Sequence, residues 1–318
     1  MEKIHHVLEA QQFSREWLEE KLFPEAKKME KVVRERGILP FFKYFFTRRA
    51  LAGKRMITFF YEPSTRTRAS FEIAMDFLGG KVVFSTENAR EFSSVAKGET
   101  IEDTIRVLNG CRPDVIVLRT DEEGMAKRAA EYSTVPIINA GDGTGQHPTQ
   151  ALLDVYTIYK EKGRIAGTSI AMAGDLARGR TVRSLAYLYA KFPDVKIYFV
   201  SPEAARIRED IKEYLKRHSV WFQELYDLRD VAHLVDVIYN TRVQKERGEQ
   251  RVEQGPPSFC VVNQEVLRLM KKGAIVMHPL PRVDEITTEV DKDPRAAYFR
   301  QAENGLYVRM ALLKIILT

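Results

Sequence analysis

The feature that most limits the fold is a repeated alternation of short apolar runs and helix-period stretches. RMITFFY (55–61), KVVFS (81–85), DVIVLRT (114–120) and VPIINA (135–140) form a first series. TSIAMAG (168–174), VKIYFVS (195–201), LVDVIYNT (234–241) and AIVMHP (274–279) form a second. Apolar strands separated by helices at this spacing build parallel sheets with helices on both faces. A length of 318 residues is too great for one ordinary core and suits two. The expectation is an α/β chain: two doubly wound parallel-sheet domains joined by helices, divided into 1–148 and 149–303. The apolar-faced helix predicted in AENGLYVRMALLKIILT would bring residues 304–318 back to the first domain. In open α/β sheets ligands bind beyond the carboxyl ends of the strands. The unusual residues of this chain stand there.

An apolar content of 44% with 10% aromatics marks a packed globular protein. The net charge of +6 suits either a nucleic-acid binder or an enzyme for anionic metabolites. The arginines occur singly inside motifs, not as a stripe, which argues against nucleic acid. Cys111 and Cys260 have neither zinc-ribbon nor redox spacing. The charged, helix-period start MEKIHHVLEAQQFSREWLEEKLF, and the lack of any run near 18 apolar residues, point to a cytoplasmic chain with no membrane association.

The stretch ITFFYEPSTRTRASFEIAMDFLGG reads as strand, turn and helix, with Pro63 and Ser64 at the helix start and Gly79–Gly80 as its stop. A helix N-terminus offers unpaired N–H groups and partial positive charge, which suits phosphate. Ser64, Thr65 and Thr67 add hydroxyl donors, and Arg66 adds a planar fork. The plain alternative is a Ser/Thr cap followed by solvated arginines. HPTQ places His147 and Gln150 three residues apart at a helix start, so both share a face. The glycines of the preceding loop NAGDGTGQ permit close approach to a ligand. Arg119 ends the apolar strand VIVLRT at the active edge of its sheet.

In the second series, GDLARGRTV holds Gly174, Gly179 and Arg180 in a faint likeness of an ATP-binding loop, but such a loop needs lysine at position 180. The other reading is that Arg180 binds a carboxylate. Arg242 and Gln244 alternate after the strand LVDVIYN, so in extended chain they face one way and can grip a second carboxylate. MHPLPRVDEI makes a stiff turn in which Leu280–Pro281 is a candidate cis bond and the carbonyls nearby can accept from an amide. Ser93 and Lys97 lie in a loop, SSVAKGE, where a lysine by itself reads as solvated.

FYEPSTRTRASFE, HPTQALLD, GDLARGRTV, TRVQKER and HPLPRVDEI occur in that order over nearly the whole length. Together they resemble the catalytic chains of the aspartate and ornithine carbamoyltransferases. The threonine of HPTQ and the proline of HPLPR resemble the aspartate branch, where the ornithine branch usually has cysteine. The resemblance implies that residues 1–148 bind carbamoyl phosphate and residues 149–303 bind L-aspartate. It assigns the phosphate to Ser64, Thr65, Arg66 and Thr67, and the carbonyl oxygen to Thr67, Arg119 and His147. The amide falls to Gln150 and the carbonyls of Pro279 and Leu280, and the aspartate carboxylates to Arg180, Arg242 and Gln244. Ser93 and Lys97 would be lent by a neighbouring copy in a homotrimer with shared active sites, and there is room for regulatory chains. Glu62 and Arg247 enter as residues that either support the substrate contacts or partner in domain closure.

That chemistry needs no metal or cofactor and no protein base. The amine attacks a carbonyl, an oxyanion develops, and the leaving phosphate can take the proton. Arg119, His147 and Thr67 suit an oxyanion clamp. A different amino-acid acceptor such as ornithine is the nearest rival. One segment departs from the family pattern: ILPFFKYFFTRRALAGK (38–54) is unusually aromatic and basic, which suits an interface or a hairpin.

Overall fold

In the computed structural model, residues 4–242 and 260–318 are described. The chain divides into two compact units, Met1–Leu153 with Asn304–Thr318, and Asp154–Glu303. Both divisions fall inside long helices, Pro148–Lys162 and Tyr298–Leu317.

The first unit is built on four parallel strands, β1 (Arg55–Phe60), β2 (Lys81–Thr86), β3 (Val115–Thr120) and β4 (Ile137–Asp142). Their spatial order is β2-β1-β3-β4. The chain therefore steps outward from β1 to β2, then returns to the other side for β3. That reversal leaves a crevice at the carboxyl ends of β1 and β3. Helix α1 (Phe23–Arg34) precedes the sheet in the chain, and α2 (Thr65–Phe77), α3 (Ile101–Gly110) and α4 (Met125–Tyr132) pack on it. Ile57, Phe59, Ile116 and Leu118 of the strands pack with Ile101 and Ile105 of α3 and Ala129 of α4. The strands read as continuous apolar runs because β1 and β3 are buried on both faces. Helix α2 stops where expected, at Phe77, with Gly79 at φ +78°. Helix α5 (Pro148–Lys162) likewise ends against Gly163, at φ +75°.

The second unit has five parallel strands, one more than the apolar runs predict. These are β5 (Ser169–Ala173), β6 (Lys196–Val200), β7 (Trp221–Leu225), β8 (Val237–Asn240) and β9 (Ile275–Met277), in the order β7-β6-β5-β8-β9. The unforeseen strand is β7, WFQEL, which lies at the sheet edge and is nowhere fully buried. An edge strand pairs on one side only and tolerates polar residues, so its sequence carries no strong period. Helices α6 (Arg180–Tyr189), α7 (Glu209–Arg217) and α8 (Gln264–Leu269) flank this sheet. The last helix, α9 (Tyr298–Leu317), begins in the second unit and ends in the first.

The aromatic–basic segment forms two short helical turns, Ile38–Lys43 and Phe45–Arg48, not a β-hairpin. Tyr44 and Thr47 point inward, and the Tyr44 hydroxyl donates to Glu35 at 3.0 Å. Ile38, Leu39, Phe42 and Phe46 remain exposed. Among the described residues no helix is long and apolar enough to cross a membrane.

Candidate active site

In the first unit the unusual residues follow the ends of β1, β3 and β4, three neighbouring strands. The chain leaves β1 and enters α2 at Ser64, which has extended φ of −158° and makes no side-chain cap to its own helix. The reading of Ser64 as an ordinary capping serine is thereby excluded. Its backbone N–H instead donates to Glu87 Oε1 at 2.6 Å. A carboxylate thus already meets the positive end of the helix, as the macrodipole favours. Sequence reasoning missed Glu87, which lies in a loop beyond β2 and belongs to no motif.

Thr67 is buried, while Thr65 and Arg66 face the surface. The two arginines of the motif then differ. Arg68 pairs with Glu87 at 3.3 Å and reaches Glu72 at 3.9 Å. Arg66 has no carboxylate partner among the described residues, and crowding around its guanidinium lowers its pKa from the ordinary arginine value. It keeps its charge all the same, because arginine is a cation at any physiological pH. A partly desolvated cation without an internal counter-ion, at a helix N-terminus, is a site for an external anion.

Arg119 is the penultimate residue of β3, opposite Phe60 of β1. It donates through Nη2 to Glu62 Oε2 and through Nη1 to the Ala140 carbonyl, each at 3.3 Å. Glu62, expected either to support a substrate contact or to partner in domain closure, is here the carboxylate to which Arg119 donates. After β4 the loop 143–147 folds back before α5. Gly143 is required there. Its φ is +50°, and a Cβ would lie 2.8 Å from the Asp121 carbonyl oxygen. Asp142 accepts from Thr120 Oγ1 at 3.0 Å and Gly124 N at 3.1 Å, while burial raises its carboxyl pKa. Gln146 ties the loop to the N-terminal segment by accepting from Ala10 N at 2.8 Å. His147 and Gln150 are both buried, and the His147 carbonyl accepts from the Gln150 amide at 3.0 Å. Ser93 is held within its own loop, donating to the Ala89 carbonyl at 2.6 Å. Lys97 is exposed, and Gly98 follows it at φ +91°.

In the second unit the corresponding residues follow β5, β8 and β9, again adjacent strands. Arg180 is the first residue of α6 and is 7% exposed. Arg242 comes two residues beyond the end of β8 and is half-buried. Gln244 and Arg247 lie outside the described residues. Gly174 allows the ends of β5 and β8 to close up: with φ +115°, a Cβ there would sit 2.2 Å from the Thr241 carbonyl oxygen. Thr241 N and Oγ1 both donate to the Ala173 carbonyl at 2.9 Å. After β9 comes the turn with the cis Leu280–Pro281 bond. The motif reading there centred on Pro279 and Leu280 and missed two buried titratable groups, His278 and Glu285. They meet at 2.7 Å with side chains 1% and 3% exposed. Cys260 is buried, which pushes its thiol up to about 12 and leaves it inert near neutrality.

Each unit is therefore a doubly wound parallel sheet whose carboxyl edge presents arginines and polar donors, which defines an α/β enzyme class that handles small anions. Comparison with known proteins carries this further. Residues 5–160 match the model of the aspartate/ornithine carbamoyltransferase carbamoyl-P binding domain, and residues 166–316 that of its Asp/Orn binding domain. The chloroplastic aspartate carbamoyltransferase of Arabidopsis thaliana is 55% identical over 99% of this chain and 78% of its own length. The catalytic subunit of M. jannaschii aspartate transcarbamoylase superposes with a TM-score of 0.86 at 46% identity, covering 98% of each chain. The Trypanosoma cruzi aspartate transcarbamoylase, solved with carbamoyl aspartate and phosphate, gives 0.87 at 38% identity, over 99% of this chain and 96% of that one. The chain belongs to the aspartate/ornithine carbamoyltransferase family.

Proposed function

We propose that this enzyme transfers the carbamoyl group of carbamoyl phosphate to the amine of L-aspartate, giving N-carbamoyl-L-aspartate and phosphate, a step of pyrimidine synthesis. The observation that carries the reading is Arg66: a cation at the N-terminus of α2 with no carboxylate partner among the described residues. The phosphate sits there, on Ser64, Thr65, Arg66 and Thr67. Arg119, oriented by Glu62, acts with Thr67 and His147 on the carbonyl oxygen. Gln150 and the carbonyls of Pro279 and Leu280 hold the amide. Arg180, Arg242 and Gln244 take the carboxylates of aspartate.

The neutral amine of aspartate attacks the carbamoyl carbon and a C–N bond forms. The carbonyl oxygen gains charge, which Arg119, His147 and Thr67 stabilise. The C–O bond to phosphate then breaks, and the departing phosphate accepts the proton from nitrogen. Holding both reactants in place replaces an encounter in solution with an effectively unimolecular step. The phosphate-binding groups belong to one unit and the carboxylate-binding groups to the other, so the reaction draws on both.

The enzyme works as a homotrimer in which Ser93 and Lys97 serve the site of a neighbouring copy. The exposure of Lys97 supports this, as do the exposed apolar residues Val82, Val83 and Phe84 on the outer strand β2. The proposed compartment is the cytoplasm; detection in a plastid, the location named for the plant relative, would overturn that assignment. The test of the reaction is colorimetric. Protein mixed with carbamoyl phosphate and aspartate forms a ureido product, and ornithine in its place does not. Product with ornithine alone would refute the choice of acceptor.

A further inference from the structure

We infer that His278 is a positioning residue: held as its Nε2–H tautomer by Glu285, it fixes the Leu280 turn through the Leu280 amide. The inference rests on the reading above, in which the Pro279 and Leu280 carbonyls receive the carbamoyl amide.

The geometry allows one arrangement of protons. The Leu280 N–H donates to His278 Nδ1 at 2.7 Å, so Nδ1 keeps its lone pair. A neutral ring then carries its hydrogen on Nε2, which stands 2.7 Å from Glu285 Oε1. Glu285 is itself fixed, because its Oε2 accepts from the amides of Val283 at 3.1 Å and Asp284 at 3.2 Å. An ionised carboxylate only accepts, so it selects the Nε2–H tautomer and rejects the other. Burial opposes ionisation of Glu285, but the hydrogen bond from His278 and the backbone amides outweigh it and bring its pKa below the ordinary glutamate value.

The turn needs such a clamp. Leu280 sits at φ +56°, in the left-handed region that a branched side chain avoids. The other end of the device is equally fixed. The His278 backbone N–H donates to Gln301 Oε1 at 2.8 Å, and Gln301 Nε2 donates to Asp154 Oδ1 at 2.6 Å. Tyr239 of β8 completes the line by donating to Asp154 Oδ2 at 2.8 Å. All four residues are at most 1% exposed. Asn240, two residues before Arg242, donates to the Glu285 carbonyl at 2.8 Å. One buried network thus sets both the Leu280 turn and the strand end that leads to Arg242.

The amide side chains of Asn and Gln separate the two halves of the histidine. Asn places an oxygen where Nδ1 stands and can still accept from Leu280 N–H. Gln reaches toward Glu285 and leaves the Leu280 amide unmet. The experiment measures carbamoyl phosphate binding by equilibrium dialysis, with steady-state rates and thermal melting, for wild type, His278→Asn and His278→Gln. Expected is a loss of carbamoyl phosphate affinity of about tenfold to a hundredfold in His278→Gln, and near-retention in His278→Asn, with similar melting temperatures for both. Equal impairment of the two variants, or none, would overturn the inference. Nitrogen-15 shifts of histidine in the wild-type protein test it without any substitution: a buried ring with hydrogen on Nδ1, or doubly protonated at neutral pH, would refute it. Failure of the wild type to form carbamoyl aspartate would instead refute the reaction and leave the tautomer result standing.

Discussion

Arg66 and Arg68 are two residues apart and chemically equivalent, yet their surroundings give them different work. Arg68 spends its charge on Glu87 and Glu72, while Arg66 has no carboxylate partner among the described residues. Replacing Arg66 with Ala removes a charge-assisted contact worth about 1.5–3 kcal/mol. The expected outcome is carbamoyl phosphate binding weakened by about tenfold to a hundredfold, read by dialysis, with an unchanged melting temperature. Arg242→Ala should leave carbamoyl phosphate binding intact and chiefly raise the aspartate concentration needed for half-maximal rate. An unaltered aspartate dependence would remove Arg242 from the site. The motif S-T-R-T-R was legible at this scale, and so was the likeness to a known family. The sequence did not reveal which arginine is neutralised internally, because Glu87 is brought in by a loop beyond β2; Glu72 stands one turn along the same face of α2.

At the scale of elements, α2 has two duties. Its first turn is the proposed seat of the phosphate, and its body must be held still by packing. Phe71 of α2 is fully buried, and its ring lies 5.2 Å from the Arg309 guanidinium of α9. Phe71→Ala leaves a cavity at this junction and should cost about 3–5 kcal/mol. A thermal or urea melt that shifts by much less would show that α2 is anchored elsewhere. The central strands could be read directly, since a strand buried on both faces is an uninterrupted apolar run. The edge strand β7 could not, since partial exposure admits Gln223 and Glu224. The segment 38–54 shows a related limit. Its composition signalled an unusual surface, and only the fold shows that Tyr44 and Thr47 anchor it while Leu39 and Phe46 stand out.

At the scale of the molecule, the proposed trimer makes a measurable statement. Sedimentation should give a mass close to three times the 36.6 kDa chain. Arg66→Ala and Lys97→Ala proteins should each be nearly inactive. After mixing and reassembly they should regain part of the wild-type rate, because some sites then combine an intact Arg66 with an intact Lys97 from another copy. No recovery on mixing would place Lys97 within the site of its own chain.

The sequence alone determined the class of fold and the likeness to the carbamoyltransferase family, because apolar periodicity and compact motifs are local properties that survive in one dimension. Tertiary structure decided what those residues are free to do. Contacts made where the chain folds back set which arginine of the motif is neutralised internally, Arg68 by Glu87, and bring the buried Glu285 onto the ring of His278. Neither contact follows from a helix or strand period, because each depends on how the loops at the strand ends are folded.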